Sequence, residues 1–214
     1  MRLLLASQNA KKRAELEELL RDLAVDVLTP DTVGGIPPVE EDQPTFAGNA
    51  RKKAASAARA SGLWTLADDS GLEVDALDGA PSVRSARYAS EPADEARNNE
   101  KLLSELAGVP PGRRGARFVC ALALARPDGT IALELRGEVR GRILEAPRGA
   151  SGFGYDPLFL PDEPGPAAAG RSFAELSGAE KGAISHRGRA LRELARRLPE
   201  VAPVPVRAKG APRK

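Results

Sequence analysis

The 214-residue chain holds one cysteine, one histidine, one methionine and one tryptophan, and aromatic residues make up only 4%. Cys120 has no second cysteine in the chain to pair with, so the expected setting is a reducing cytoplasm. Long apolar runs are also missing. None reaches the ~18 residues of a membrane span, and no signal-peptide pattern opens the chain. The apolar stretch Leu3 to Ala6 gives way at once to Ser7 and reads as a buried strand. A dominant charge is lacking as well: 32 basic residues face 30 acidic ones. Four of the basic residues (Arg207, Lys209, Arg213, Lys214) and a single acid, Glu200, lie from Pro199 onward. The pI of 8.8 therefore belongs largely to the tail, and the body carries about one net negative charge. Such a body argues against a nucleic-acid footprint, which needs a basic face. It leaves room for a small anion in a local positive pocket.

With 42% hydrophobic and 29% charged residues, the core must be built from Ala, Leu and Val. A chain of this length buries roughly 70% of its unfolded surface and suits one large domain or two intimate lobes. Residues 2–6 read as a strand and about 11–24 as a helix, with Leu16, Leu19, Leu20 and Leu23 on one face. A second strand at 25–29 leads into the loop 30–44, which has four prolines, two glycines and the acidic run Glu40-Glu41-Asp42. Thr45 is placed to cap an Ala-rich helix that ends before Gly62. A short strand, 64–67, runs into an Asp68-Asp69-Ser70-Gly71 turn. A helix is expected at 92–107. Strands 116–126 and 130–139 form a hairpin about Pro127-Asp128-Gly129. The last helix is read over 178–198, with Ser177 and Glu180 as a capping box. Residues 199–214 read as a disordered Pro/Arg-rich tail. Strand–helix units with a hairpin predict an α/β fold around a mixed sheet.

Five segments carry candidate chemistry. Ser7, Gln8, Asn9, Ala10, Lys11 and Lys12 sit where a strand gives way to a helix, a natural anion site. The other reading is that Asn9 merely caps the helix and the lysines are solvated. Asp68 and Asp69 present paired carboxylates suited to Mg²⁺ or a water molecule, or else an ordinary Asx turn. The Glu40-Glu41 cluster is either a solvated loop or a partner for the same cation. In the segment from Ser151 to Pro157, glycines flank Phe153, so a base can stack on the ring, or a tight turn buries two aromatics. Lys181, His186 and Arg187 lie on the last helix, where Lys181 and His186 need not share a face.

Taken together, Ser7-x-Asn9-x-x-Lys12, Thr45-Phe46, Ala67-Asp68-Asp69-Ser70-Gly71-Leu72, Gly79-Ala80-Pro81, Ser85-Ala86-Arg87-Tyr88, Phe153-Gly154-Tyr155-Asp156-Pro157 and Ile184-Ser185-His186-Arg187-Gly188 resemble the Ham1 family of inosine triphosphate pyrophosphatases. The likeness covers about residues 2–198, leaving 199–214 as the tail. It implies an elongated mixed sheet flanked by helices, two lobes with a central cleft, and a cytoplasmic homodimer. The implied reaction converts ITP, dITP or XTP and water to the monophosphate and pyrophosphate. By resemblance, residues 7–12 bind the triphosphate and Asp69 is the general base. Glu40 and Asp69 hold Mg²⁺, with Glu41 the adjacent candidate. Ser70 touches substrate, and Phe153, Gly154, Tyr155, Asp156, Lys181, His186 and Arg187 surround the base. Asp156 and nearby backbone are expected to exclude guanine through its 2-amino group. Gly48 and Arg84 depart from the family's usual residues without striking a proposed contact. A Maf-like pyrophosphatase, a non-catalytic nucleotide sensor and a nucleic-acid module acting through the tail are the rival readings. No membrane or nucleic-acid partner is expected.

Overall fold

The computed structural model describes residues 1–163, 168, 170–202 and 204. Among these residues six strands are hydrogen-bonded in the order β2-β1-β3-β4-β5-β6, and helices flank this mixed sheet. The strands are β1 (Arg2–Leu5), β2 (Asp26–Leu28), β3 (Trp64–Val74), β4 (Gly115–Ala125), β5 (Ile131–Ile143) and β6 (Phe159–Pro161). The helices are α1 (Ala10–Leu19), α2 (Phe46–Ser61), α3 (Glu95–Glu105), α4 (Gly178–Ile184) and α5 (His186–Val201).

The chain divides into two compact units. The first comprises residues 1–69, 121–135 and those from 190 on; the second comprises 70–120 and 136–189. In the first unit β1 lies parallel to both β2 and β3, with Leu5 opposite Leu66. Parallel neighbours run in one direction, so the exit of β1 falls beside the middle of β3, just past the Leu5–Leu66 pair. The helix α2 begins and ends as its sequence dictates. The Thr45 hydroxyl accepts the Gly48 N–H, and Gly62 closes the helix in a left-handed conformation. Its buried face includes Phe46 and the small residues Ala50, Ala54 and Ala57.

In the second unit Leu72, Val74, Leu102, Leu106, Val139, Ile143, Leu158 and three phenylalanines form the core. The rings of Phe118 and Phe159 lie 4.7 Å apart, and those of Phe159 and Phe173 lie 5.0 Å apart. Each such pair adds about 0.5–1.5 kcal/mol beyond its buried area. Arg114 is buried, and its guanidinium donates to the carbonyls of Ile143, Leu106, Val109 and Leu144, which ties the start of β4 to the end of β5.

Four expectations are corrected. The α1 helix stops at Leu19 rather than near 24, and Leu20, Leu23 and Val25 continue in tight turns. β3 does not end at 67, because Asp68-Asp69-Ser70-Gly71 lies inside an 11-residue strand. The last helix is two helices. Ser185 adopts an extended conformation (φ −66°, ψ 155°), ends α4, and caps α5 by accepting the Gly188 N–H at 3.0 Å. Pro199 lies within α5, which continues to Val201; residues 203 and 205–214 of the expected tail lie outside the described residues.

Candidate active site

In the first unit, Lys12 reaches from the first turn of α1 to Asp68, with Nζ 2.8 Å from Oδ2 and 2.9 Å from Oδ1. The helix start itself is capped by Asn9, whose Oδ1 accepts the N–H groups of Lys11 (2.9 Å) and Lys12 (3.3 Å). An anion at this turn therefore meets the helix dipole and side-chain donors, while Asn9 holds two of the backbone N–H groups. Asp69 is 8% exposed and is held by α2. Asn49 Nδ2 donates to its Oδ2 at 3.0 Å, and Lys53 Nζ donates to its Oδ1 at 3.3 Å. The same ammonium donates to Glu41 Oε1 at 2.8 Å. One lysine thus joins the acidic loop to the strand. Glu40, the expected partner of Asp69, has an exposed side chain, and Glu41 is the acid beside Lys53.

Electrostatics follow from this packing. Burial pushes the Asp69 carboxyl above its ordinary value, and the Lys53 charge and Asn49 amide pull it part of the way back. Burial alone would lower Lys53, but the Asp69 charge and the Glu41 hydrogen bond outweigh it and hold the ammonium above its usual range. Beside these groups lies a cavity of about 360 Å³ lined by Ser7, Gln8, Pro30, Pro37, Val39 and Lys53. Its size falls within the span of small-molecule sites.

In the second unit the glycine-rich segment is pinned from several sides. Asp156 Oδ2 accepts the Phe153 N–H at 2.9 Å and pairs closely with Lys181. Gly152 has φ +84°, and a Cβ there would lie 2.2 Å from Asp156 Oδ2, so no other residue closes this turn. Tyr155 is buried and its hydroxyl donates to Ser85 O at 2.8 Å; Asn99 Nδ2 donates to Gly154 O at 3.0 Å. Among the described residues, Phe153 alone of the large apolar residues stays open, 37% exposed. Lys181 Nζ lies 4.5 Å and the Arg187 guanidinium 5.9 Å from its ring centroid. The break at Ser185 places Lys181 on α4 and Arg187 on α5. His186 is buried, stacked on Phe118 with centroids 4.9 Å apart.

The expected residues thus fall into two sets. Residues 7–12, Glu40, Glu41 and Asp69 belong to the first unit; Ser70, Phe153–Asp156, Lys181, His186 and Arg187 belong to the second. Asn49, Lys53 and Asn99 escaped the sequence reading. The available signal was Asn49 standing in the apolar stripe of α2, with Lys53 one turn further on.

The Ham1 family profile matches residues 3–197. The chain is 51% identical to the dITP/XTP pyrophosphatase of Syntrophobacter fumaroxidans, over 93% of this chain and 82% of that protein. It is 47% identical to the dITP/XTP pyrophosphatase of an Anaeromyxobacter species, over 91% and 95%. Among solved structures it is similar to a HAM1 protein from Coxiella burnetii (TM-score 0.85, 42% identity, 94% of this chain and 99% of that one). The Staphylococcus aureus Ham1 protein gives a TM-score of 0.83 at 36% identity, with the same coverage. Sequence and fold agree along nearly the whole length, and the chain belongs to the Ham1 family.

Proposed function

We propose that the chain hydrolyses the non-canonical purine nucleoside triphosphates dITP, ITP and XTP to the monophosphate and pyrophosphate. The carrying observation is the convergence of Lys12, Lys53, Asp68, Asp69 and Glu41 where the exit of β1 meets the middle of β3. It sets cations for phosphate beside a buried carboxylate able to take a proton. The names of its relatives, dITP/XTP pyrophosphatases, supply the substrate class.

In this reading the 7–12 turn and Lys12 hold the triphosphate, and Asp69 orients a water against the α-phosphorus. A new P–O bond forms as Asp69 takes the water's proton. The bond from the α-phosphorus to the bridging oxygen breaks, and pyrophosphate leaves with the electron pair. General-base help of this kind is worth about 10²- to 10⁴-fold. The base meets Phe153, with Lys181 and Arg187 beside that ring, and His186 and Arg187 are the donors assigned to its 6-oxo group. Adenine's 6-amino group would leave such donors unpaired, at about 1–3 kcal/mol each.

The donor set fits Mg²⁺. Among the described residues no three His, Cys, Asp or Glu side chains are grouped as a metal cage. Carboxylates of Asp69 and Glu41 nevertheless reach one ammonium, at 3.3 and 2.8 Å. Mg²⁺ is commonly held by one or two carboxylates, with waters and substrate phosphates completing its shell. Asp69 with Glu41, or with its neighbour Glu40, would hold the ion. Bound there, it would supply positive charge against the phosphates. A cytoplasmic homodimer belongs to the same proposal.

The test is pyrophosphate release from dITP, XTP, dATP and dGTP, with Mg²⁺ or with EDTA, beside Asp69→Asn. Release of pyrophosphate from dITP and XTP, lost in the variant, is expected. Orthophosphate as the direct product, or equal turnover of dATP and dITP, would overturn the reading.

A further inference from the structure

A primary amide at 0% exposure must have both ends bonded or cost several kcal/mol. Asn49 has both. Its Oδ1 accepts the Gln43 N–H at 3.0 Å and its Nδ2 donates to Asp69 Oδ2 at 3.0 Å. The orientation admits no flip, since a backbone N–H can only donate and an ionised carboxylate can only accept. Asn49 is fixed on α2 by the helix's own apolar stripe, with Phe46 and Ala50 buried on either side. Lys53, one turn on, takes the other Asp69 oxygen. The two donors set the plane of the Asp69 carboxylate. The Gln43 bond anchors the acidic loop two residues from Glu41.

We propose that Asn49 is a positioning residue for hydrolysis, orienting the Asp69 carboxylate and holding the Glu40–Glu41 loop beside it. The inference rests on Asp69 acting in the proposed reaction and adds the group that aims it. Neither Lys nor Ala at position 49 reproduces this. A side chain there must donate to a carboxylate and accept from a backbone N–H in one short planar unit, which is what an asparagine amide supplies.

The experiment compares Asn49→Ala and Asn49→Asp with the parent chain, using dITP turnover and the affinity for α,β-methylene-dITP, which cannot be cleaved at that bond. Asn49→Asp keeps the acceptor for Gln43 but cannot donate to Asp69, so it serves if the alanine variant does not fold. The expected result is a kcat lower by on the order of 100-fold, with KM and analogue affinity of Asn49→Ala within about threefold of parent. In an Asp69→Asn background, Asn49→Ala should then lower the residual rate by less than about threefold, because its effect runs through Asp69. A folded Asn49→Asp with parental kcat, or losses that multiply in the double variant, would overturn the inference. A parent chain that releases no pyrophosphate from dITP would sink the functional reading instead.

Discussion

The Lys12 ammonium lies within 3 Å of both carboxylate oxygens of Asp68, a residue 56 positions away in sequence. The parallel pairing of β1 and β3 causes this, because it delivers the start of α1 and the middle of β3 to one sheet edge. Asp68 is nearly buried and Lys12 is about a quarter exposed. Removing only the lysine takes the ion-pair partner from a charge with little water around it. Lys12→Met should cost about 2–3 kcal/mol in urea unfolding, and Asp68→Asn added to it should restore most of that. A double variant no more stable than Lys12→Met would show that the pair contributes nothing.

Lys53 is the bridge between loop and strand. Its charge favours ionised Asp69, whose carboxyl burial has already pushed upward. Without Lys53 that carboxyl rises further, so the proton-accepting form appears only at higher pH. Lys53→Met should therefore move the acid limb of the kcat/KM profile to higher pH and lower the rate at its plateau by about 10-fold or more. An unmoved limb in a pH–rate series would show that the two groups do not couple.

Phe153 is open to solvent while its backbone is tied down, so its ring is available at little structural cost. Phe153→Ala should leave the thermal midpoint nearly unchanged. Loss of base stacking, worth about 1–3 kcal/mol, should raise KM for dITP by about 10- to 100-fold. Unchanged KM would remove Phe153 from the substrate contacts.

Glu180 starts α4, the helix that carries Lys181. The Arg171 guanidinium and the Ser177 N–H hold its carboxyl down at about 2, against an ordinary 4.5. A depressed acid stabilises the fold above its unfolded value, and that contribution is lost as pH falls from about 4.5 toward 2. An NMR titration of the Glu180 side chain should find a midpoint near 2, and Arg171→Ala should move it toward 4.5. A parent midpoint at the ordinary value would show that the cap does not form in solution.

Local signals were legible where one short stretch decides the outcome. Thr45 and Gly62 bracket α2, and Ser177 with Glu180 opens α4, because a cap needs only neighbours in sequence. The break at Ser185 was written there too, in a hydroxyl three residues before the Gly188 N–H, but the apolar spacing across it read as one continuous helix. β3 outran its expected length because pairing in a sheet carries the polar Asp68-Asp69-Ser70 run, which alone resembles a turn.

The sequence by itself determined the α/β class, the family motifs and the chemical types at the site: lysines at a helix start, paired carboxylates, and an aromatic between glycines. Only the tertiary structure decided which acid meets which base. Glu41 rather than Glu40 meets Lys53, Asn49 meets Asp69, and Lys181 with Arg187 meets one ring. The physical reason is that such contacts depend on how a helix is rotated over its sheet and where a loop is pinned. Packing of the whole core sets those quantities, and no spacing within a segment encodes them.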